Sequence, residues 1–240
     1  MSFQILLAIV AVIAGGIASL AGFGIGSMLT PLLTLKISIG IAVAGVSIAH
    51  LFGTSLRFIS LRKQINKRIL LSFGLTSAAG GLIGALLHNI IQNVLLTTIL
   101  GGLLVFAGLM GITGLADRFR LKGIAAWIAG GTSGMFGGLV GNQGSIRSAA
   151  MLGFNLKQEE FVATATGTAL MVDTARVPVY LAVYWNDIIS IWHYVLIATA
   201  GVIAGTVAGR WVLRRLPENV FKKTIAVIIL LVGVLVLINR

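Results

Sequence analysis

The twelve residues "GGLVGNQGSIRS" (137–148) decide the fold, because they insert flexible backbone and a permanent cation into a very apolar chain. They contain four glycines, two serines, an amide pair and Arg147. The whole chain is 58% hydrophobic and 10% charged, whereas soluble domains carry about 25% charged residues. Long apolar runs separated by short basic clusters therefore indicate an all-α polytopic membrane protein whose helices this stretch interrupts.

Ten hydrophobic helical segments are predicted, since roughly 20 apolar residues span a bilayer as a helix. The second and seventh segments are short for a full span, and each follows a glycine-rich stretch. The N-terminal residues lack a basic region and a small-residue cleavage site, which predicts a first span rather than a removable signal. The predicted segments lie near residues 3–21, 26–37, 40–61, 69–88, 93–115, 123–140, 144–155, 160–184, 188–210 and 219–238.

The basic residues fall mainly on one set of alternate loops, and this distribution predicts the orientation. That set contains 13 of the 18 basic residues, whereas the opposite loops contain Lys36 and Arg240. By the positive-inside rule the first set is cytoplasmic, so both termini are expected to be extracytoplasmic. Topology thus accounts for the net charge of +12 without a nucleic-acid partner. The cytoplasmic set is Arg62, Lys63, Lys67, Arg68, Arg118, Arg120, Lys122, Lys157, Arg210, Arg214, Arg215, Lys222 and Lys223.

The two halves of the chain are similar to each other. "GGIASLAGFGIGS" (15–27) aligns with "GGTSGMFGGLVGN" (130–142), and "AGVSIAHLFGTSLR" (44–57) aligns with "ATATGTALMVDTAR" (163–176). Two further matches follow in the same order, while the offset grows from 115 to 126. Because each half has five segments, the halves have opposite orientations, as in the inverted repeats of transporters. We expect a first repeat in 1–116, a cytoplasmic linker in 117–122 and an inverted second repeat in 123–240.

Two glycine-rich stretches, "GFGIGS" (22–27) and "GNQGS" (141–145), are predicted to break the chain between a long helix and a short one. Irregular backbone at membrane depth must be buried in protein or line a wet cavity. We expect the short helices to begin near Ser27 and Ser145, since serine is a favoured N-cap, and to aim their partly positive starts at one cavity. Such starts bind small anions, and glycines let a ligand approach the backbone. The expected anion-binding residues are Gly22, Gly24, Gly26, Ser27, Gly141, Asn142, Gln143, Gly144, Ser145 and Arg147.

Four further ionisable residues lie within apolar segments and are candidates for gating or for the transport pathway: His50, Arg57, Asp173 and Arg176. Structural interpretations stay open for each of them. Arg57, like Arg147, can extend to the membrane surface, and Asp173 can form an ion pair with Arg176. His50 is either a packed neutral histidine or the carrier of a coupled proton. The glycine runs can likewise serve helix packing alone.

Other classes of protein fit the sequence less well. An enzyme is not expected, because the three histidines are scattered without metal-ligand spacing and Asp173 is the only obvious carboxylate within the spans. Neither a cofactor nor a metal is predicted. An anion channel is the main alternative, because an electropositive cavity also conducts. A carrier of another small anion, such as a carboxylate, also stays open.

The paired stretches "GGIASLAGFGIGSMLTPLL" (15–33) and "GGTSGMFGGLVGNQGSI" (130–146) resemble the sulfite exporter family TauE/SafE. The resemblance extends over essentially the whole chain, including its length and its duplication. It implies a transporter of sulfite, of organosulfonates such as sulfoacetate, or of related sulfur oxyanions in a bacterial-type inner membrane. The second stretch lacks the proline of the first and carries Arg147 instead, which leaves the substrate open. Coupling to H⁺ or Na⁺ and a homodimeric state also stay open.

Overall fold

The protein is all-helical in the part of the chain that its computed structural model describes, which is residues 2–115, 123–142, 144–152, 154, 156–212 and 218–238. A short 3₁₀ turn, Arg62–Gln64, follows the third α-helix. The predicted linker 117–122 lies outside the described residues. The ten α-helices are α1 (Phe3–Ala21), α2 (Ile25–Thr34), α3 (Ile39–Leu61), α4 (Lys67–His88), α5 (Asn93–Thr113), α6 (Ile124–Val140), α7 (Gly144–Leu152), α8 (Gln158–Ser190), α9 (Trp192–Val212) and α10 (Glu218–Ile238).

Five helices are long and apolar enough to cross a membrane by length and composition: α1, α3, α4, α5 and α9. The apolar stretches Ile25–Thr34, Ile124–Val140 and Ala226–Ile238 are shorter. The prediction of an all-α polytopic protein with ten helical segments is therefore confirmed.

The predicted end of the eighth segment at residue 184 coincides with a kink in α8, beyond which the helix continues to Ser190. The polar residues 185–187 suggest a loop in the sequence. In the structure only Tyr184 leaves helical geometry (φ −107°, ψ 19°), and helical hydrogen bonding resumes after this kink. The N–H of Ile191 still bonds to the carbonyl of Asp187 at 3.2 Å. A kinked helix therefore replaces the expected loop.

Both predicted chain breaks are present, and the long helix before each break ends in the same way. Gly22 (φ 76°) terminates α1 and Gly141 (φ 75°) terminates α6, each in the left-handed conformation that favours glycine. The N–H of Gly22 bonds to the carbonyl of Ala18 at 3.0 Å, and that of Gly141 bonds to Gly137 at 3.1 Å. Each long helix thus closes on a glycine just before a short helix begins.

The prediction that serines cap the short helices is wrong. The N-cap of α2 is Gly24, whose φ of 131° turns the chain into the helix before Ser27 is reached. Ser27 is therefore the third residue of α2, and its hydroxyl is free to bond elsewhere. Ser145 is the second residue of α7, which begins at Gly144. The positive φ of Gly24 thus moves the start of α2 toward the N-terminus of the chain.

The long helices pack through small residues. The helix α1 packs against α9, and α4 packs against α6. A Cβ added to Gly205 in α9 would overlap the carbonyl oxygen of Val12 in α1. A Cβ added to Gly134 in α6 would overlap the carbonyl oxygen of Ser77 in α4. Lipid provides no hydrophobic drive between helices, so this close backbone contact supplies the van der Waals attraction.

The middle of the fold is formed by α3 and α8, which pack against each other. The span that begins at Ile39 is 67% buried within the protein, against 28–39% for the other four candidate spans. The short helices lie beside this pair, with α2 on α3 and α7 on α8. The polar side chains that face the interior of this pair are therefore buried within the protein: His50, Thr54, Arg57, Asp173 and Arg176.

Glycine-mediated packing predicts a position-dependent effect of one added methyl group. Gly134→Ala should lower the thermal stability of the purified protein by about 1–3 kcal/mol, because its Cβ has no space beside the α4 backbone. Gly102→Ala is the matched control, since no atom lies within 4 Å of its Cβ and alanine favours helix. Thermal unfolding in detergent measures both. Equal melting temperatures for the two variants would contradict this account of the packing.

Candidate functional site

The two chain breaks meet in the interior, although they are more than a hundred residues apart in sequence. The Oγ of Ser27 donates a hydrogen bond to the Oδ1 of Asn142 at 3.1 Å. A Cβ on Gly26 would overlap the carbonyl oxygen of Gly141. A Cβ on Gly144 would overlap the side chain of Phe23. The glycines of each break therefore allow the close approach of the other break.

Arg147 extends from α7 into this junction and does not reach the membrane surface. Its residue surface is 1% exposed. Its Nη2 donates to the carbonyl oxygen of Gly22 at 2.9 Å, at the C-terminal end of α1, where a helix carries partial negative charge. The Nε and Nη1 atoms of Arg147 are buried without a hydrogen-bond partner among the described residues. One of the three guanidinium nitrogens is therefore anchored, and the other two have no partner among the described residues.

A ladder of polar side chains follows one face of α3. His50, Thr54 and Arg57 are spaced by four and three residues, which places them on the same side of a helix. The Nη2 of Arg57 donates to the Oγ1 of Thr54 at 3.1 Å. That Oγ1 lies 3.1 Å from the Nδ1 of His50. Arg57 is 1% exposed, so it is also buried rather than extended toward lipid headgroups.

Asp173 on α8 bonds to His50, which is the first residue of this ladder. The Nδ1 of His50 donates to its Oδ2 at 2.6 Å. The Nε and Nη2 of Arg176 donate to its Oδ1 at 3.0 and 2.8 Å. The ion pair considered from the sequence is thus present, and the same carboxylate also links α8 to α3.

Arg176 further connects α8 to the end of α6. Its Nη1 donates to the carbonyl oxygen of Gly137. One turn later, the hydroxyl of Tyr180 donates to the carbonyl oxygen of Gly138. These bonds satisfy carbonyls near the C-terminal end of α6, next to the break at Gly141. Each guanidinium nitrogen of Arg176 therefore has a partner within the protein, unlike those of Arg57 and Arg147.

The cluster carries excess positive charge. Three guanidinium groups, those of Arg57, Arg147 and Arg176, are buried and interact electrostatically with the one carboxylate of Asp173, which Arg176 contacts directly. The charges of Arg57 and Arg147 repel each other, and Asp173 attracts both. The Nε and Nη1 of Arg57 are also buried without a partner among the described residues. Unsatisfied buried donors are costly, so these groups are suited to an anion with several acceptor oxygens.

The structure brings most of the expected site residues together, with some exceptions. Gln143 and the side chain of Ser145 lie outside the described part of the chain. Thr54, which joins His50 to Arg57, was missed, although its helical spacing from both was readable from the sequence. The Nδ2 of Asn142 and the Oγ1 of Thr30 are further buried polar atoms without a partner in the described structure.

An apolar cavity of about 410 Å³ lies beside the junction but is a different feature. It is bounded mainly by α2, α5 and α10 and reaches Ser27. None of the described residues that line it is charged. The charged groups without a partner therefore lie in the arginine cluster and do not line this cavity.

The match to a known family covers nearly the whole chain. The profile described as sulfite exporter TauE/SafE matches residues 7–236 of 240. A comparison with curated proteins finds no match. The family comprises membrane transporters rather than enzymes, in agreement with the apolar helices and the buried cationic site. This chain, a multi-pass membrane protein, belongs to the sulfite exporter TauE/SafE family.

Proposed function

We propose that the protein transports small sulfur oxyanions, such as sulfite or the organosulfonate sulfoacetate, and that the anion binds between Arg57 and Arg147. The observation that carries this proposal is the set of four buried guanidinium nitrogens without a partner in the described structure. Two of them belong to each arginine. An anion held between these side chains would supply both the missing acceptors and the missing negative charge.

The chemistry of the ligand fits this arrangement. Sulfite and sulfonates are compact and present several acceptor oxygens on one sulfur atom. Guanidinium groups bind such oxyanions with planar, paired donors. The Nδ2 of Asn142 and the first-turn N–H groups of α2 and α7 are further donors near the junction. The proposed contact set keeps the residues expected from the sequence, with Arg57 added to it.

The two halves are proposed to be inverted repeats, 1–116 and 123–240. In such a repeat α1 corresponds to α6, and α4 corresponds to α9. The α1–α9 contact then has the α4–α6 contact as its equivalent, and both contacts are extensive. The breaks at Gly22 and Gly141 are 119 residues apart, and so are Arg57 and Arg176. Equivalent residues of the two halves are therefore 119 positions apart at the breaks. The alignment of the glycine-rich sequences 15–27 and 130–142 gives 115, which is about one helical turn less.

Alternating access follows from such a repeat, because rocking one half against the other exposes a central site to each side in turn. His50, Arg57, Asp173 and Arg176 connect α3 of the first half to α8 of the second. We propose that these contacts rearrange during the transition. The proposed setting is a bacterial-type inner membrane with both termini outside, as the basic loops suggest.

Loss of the free guanidinium donors should abolish anion-dependent stabilisation. A ligand that binds only the folded protein raises its melting temperature with concentration. Sulfite or sulfoacetate should therefore stabilise the wild type, and chloride should not. Arg147→Gln should weaken this binding by roughly 10- to 100-fold, since hydrogen bonds to charged groups contribute about 1.5–3 kcal/mol. Arg57→Gln should have a similar effect.

Two controls separate binding from folding. Arg62→Gln removes an exposed arginine just beyond α3 and should bind like the wild type. Arg147→Lys keeps the charge but loses the fork, so its affinity should be intermediate. Wild-type affinity in folded Arg147→Gln and Arg57→Gln proteins would contradict the proposed site.

The inverted arrangement predicts opposite accessibility for two equivalent loops. Lys36 follows α2 and Lys157 precedes α8, and both are exposed. The chain has no cysteine, so single cysteines can be introduced without a background signal. In intact cells, a membrane-impermeant maleimide should label Lys36→Cys and Ser2→Cys directly. It should label Lys157→Cys only after the membrane is permeabilised. Labelling of positions 36 and 157 from the same side would contradict the inversion.

A further inference from the structure

We propose that the His50–Asp173 pair binds a proton that travels together with the anion, so that the transporter is a proton–anion symporter. This inference rests on the proposed function and adds the identity of the coupling ion. It begins from the direct contact between the two side chains, whose Nδ1 and Oδ2 atoms are 2.6 Å apart.

The geometry fixes where the proton binds. Asp173 is held as a carboxylate by Arg176 and can only accept hydrogen bonds. The Nδ1 of His50 must therefore carry the hydrogen of their shared bond. An incoming proton then adds to Nε2 and makes the ring a cation, which the adjacent carboxylate stabilises. The side chain of His50 keeps 6% of its accessible surface and that of Asp173 keeps none, so the histidine is the more accessible partner.

The charges around His50 come mainly from one helix. From α8 they are Asp173 and Arg176, and from its own helix Arg57 acts on it. The other elements packed against α3 carry their titratable groups at their ends or carry none in the described chain. The helix α9 has His193 and Tyr194 in its first turn and Arg210 near its end. The 3₁₀ turn has Arg62 and Lys63, and α2 and α5 have no titratable side chain.

Proton and anion strengthen each other's binding at this site. Thr54 joins His50 to Arg57, so the proposed proton and anion sites share one hydrogen-bonded ladder. A proton on His50 adds positive charge beside the anion. An anion between Arg57 and Arg147 offsets the repulsion that these cations exert on a charged His50. The coupling is reciprocal by thermodynamic necessity, and ligands that favour each other's binding move together.

The same carboxylate is poorly suited to a metal cation. Hard cations require several oxygen ligands around one point. Both oxygens of Asp173 are already engaged, one by His50 and the other by Arg176. The adjacent cationic groups of Arg57 and Arg176 would also repel a sodium ion. The imidazole of His50, whose Nδ1 carries the hydrogen shared with Asp173, can take a second proton at Nε2 without displacing any of these contacts.

Proton uptake on anion binding tests the inference directly. Purified protein in weakly buffered detergent solution is mixed with sulfoacetate, whose own groups do not titrate between pH 6 and 8, and a pH indicator records the protons taken up. The wild type should take up as much as one proton per anion, depending on pH. Its dissociation constant should rise with pH, by at most about tenfold per pH unit. Replacing sodium with choline should change neither result.

His50→Gln should bind the anion without proton uptake and without this pH dependence. His88→Gln is the matched control, because His88 is also buried but bonds to the carbonyl of Leu139 instead of to Asp173. It should retain both properties. The wild-type pH dependence stands as a test even where the His50 variant fails to fold.

The outcomes separate the two proposals. Anion binding by the wild type without proton uptake, or uptake that persists in His50→Gln, would overturn the proton site and leave the anion site intact. Absence of binding by sulfoacetate and by sulfite at every pH would overturn the proposed function and the symport with it.

Discussion

The carboxylate of Asp173 holds together the middle of this protein, because it lies among three buried arginines and both of its oxygens are engaged. Burial of an unpaired charge is very costly, and removal of one partner from a buried pair destabilises a fold strongly. Through His50 the carboxylate fixes α8 to α3, and through Arg176 it fixes α8 near the end of α6. The position of the proposed anion site depends on these bonds.

The buried cluster has more positive than negative charge. One carboxylate opposes three guanidinium groups, and the guanidinium nitrogens without a partner in the described structure belong to Arg57 and Arg147. Arg176, by contrast, bonds to Asp173 and to a backbone carbonyl. The same residue type therefore has two roles on one cluster. Arg176 secures the scaffold, while Arg57 and Arg147 remain available for an anion that enters and leaves.

The glycine-rich sequence makes this arrangement possible in lipid. Close helix pairs such as α1–α9 and α4–α6 depend on small residues at their contacts. At the breaks, Gly22 and Gly141 end the long helices in a conformation that other residues rarely adopt. Irregular backbone at membrane depth requires protein around it, and each break supplies that surrounding for the other. Interlocked breaks also give a natural place for the two halves to move against each other.

Much of the fold was predictable from sequence, because apolar run length and glycine clusters are local signals. The ten segments and both breaks are examples. Contacts across the chain were not predictable in this way: His50 and Asp173 are 123 residues apart, and Ser27 and Asn142 are 115 apart. The serine caps were predicted wrongly because the positive φ of Gly24 starts α2 earlier. Burial of Arg57 was equally uncertain from sequence, since only the tertiary fold keeps it from the membrane surface. The orientation and the repeat remain predictions.

The most direct test of the central claim is to locate the anion itself. Selenite has the shape and charge of sulfite, and its selenium gives an anomalous X-ray signal. Crystals of the wild type grown with selenite should show one strong selenium peak between the guanidinium groups of Arg57 and Arg147. A fully occupied selenium site elsewhere, with no peak between these arginines, would contradict the account.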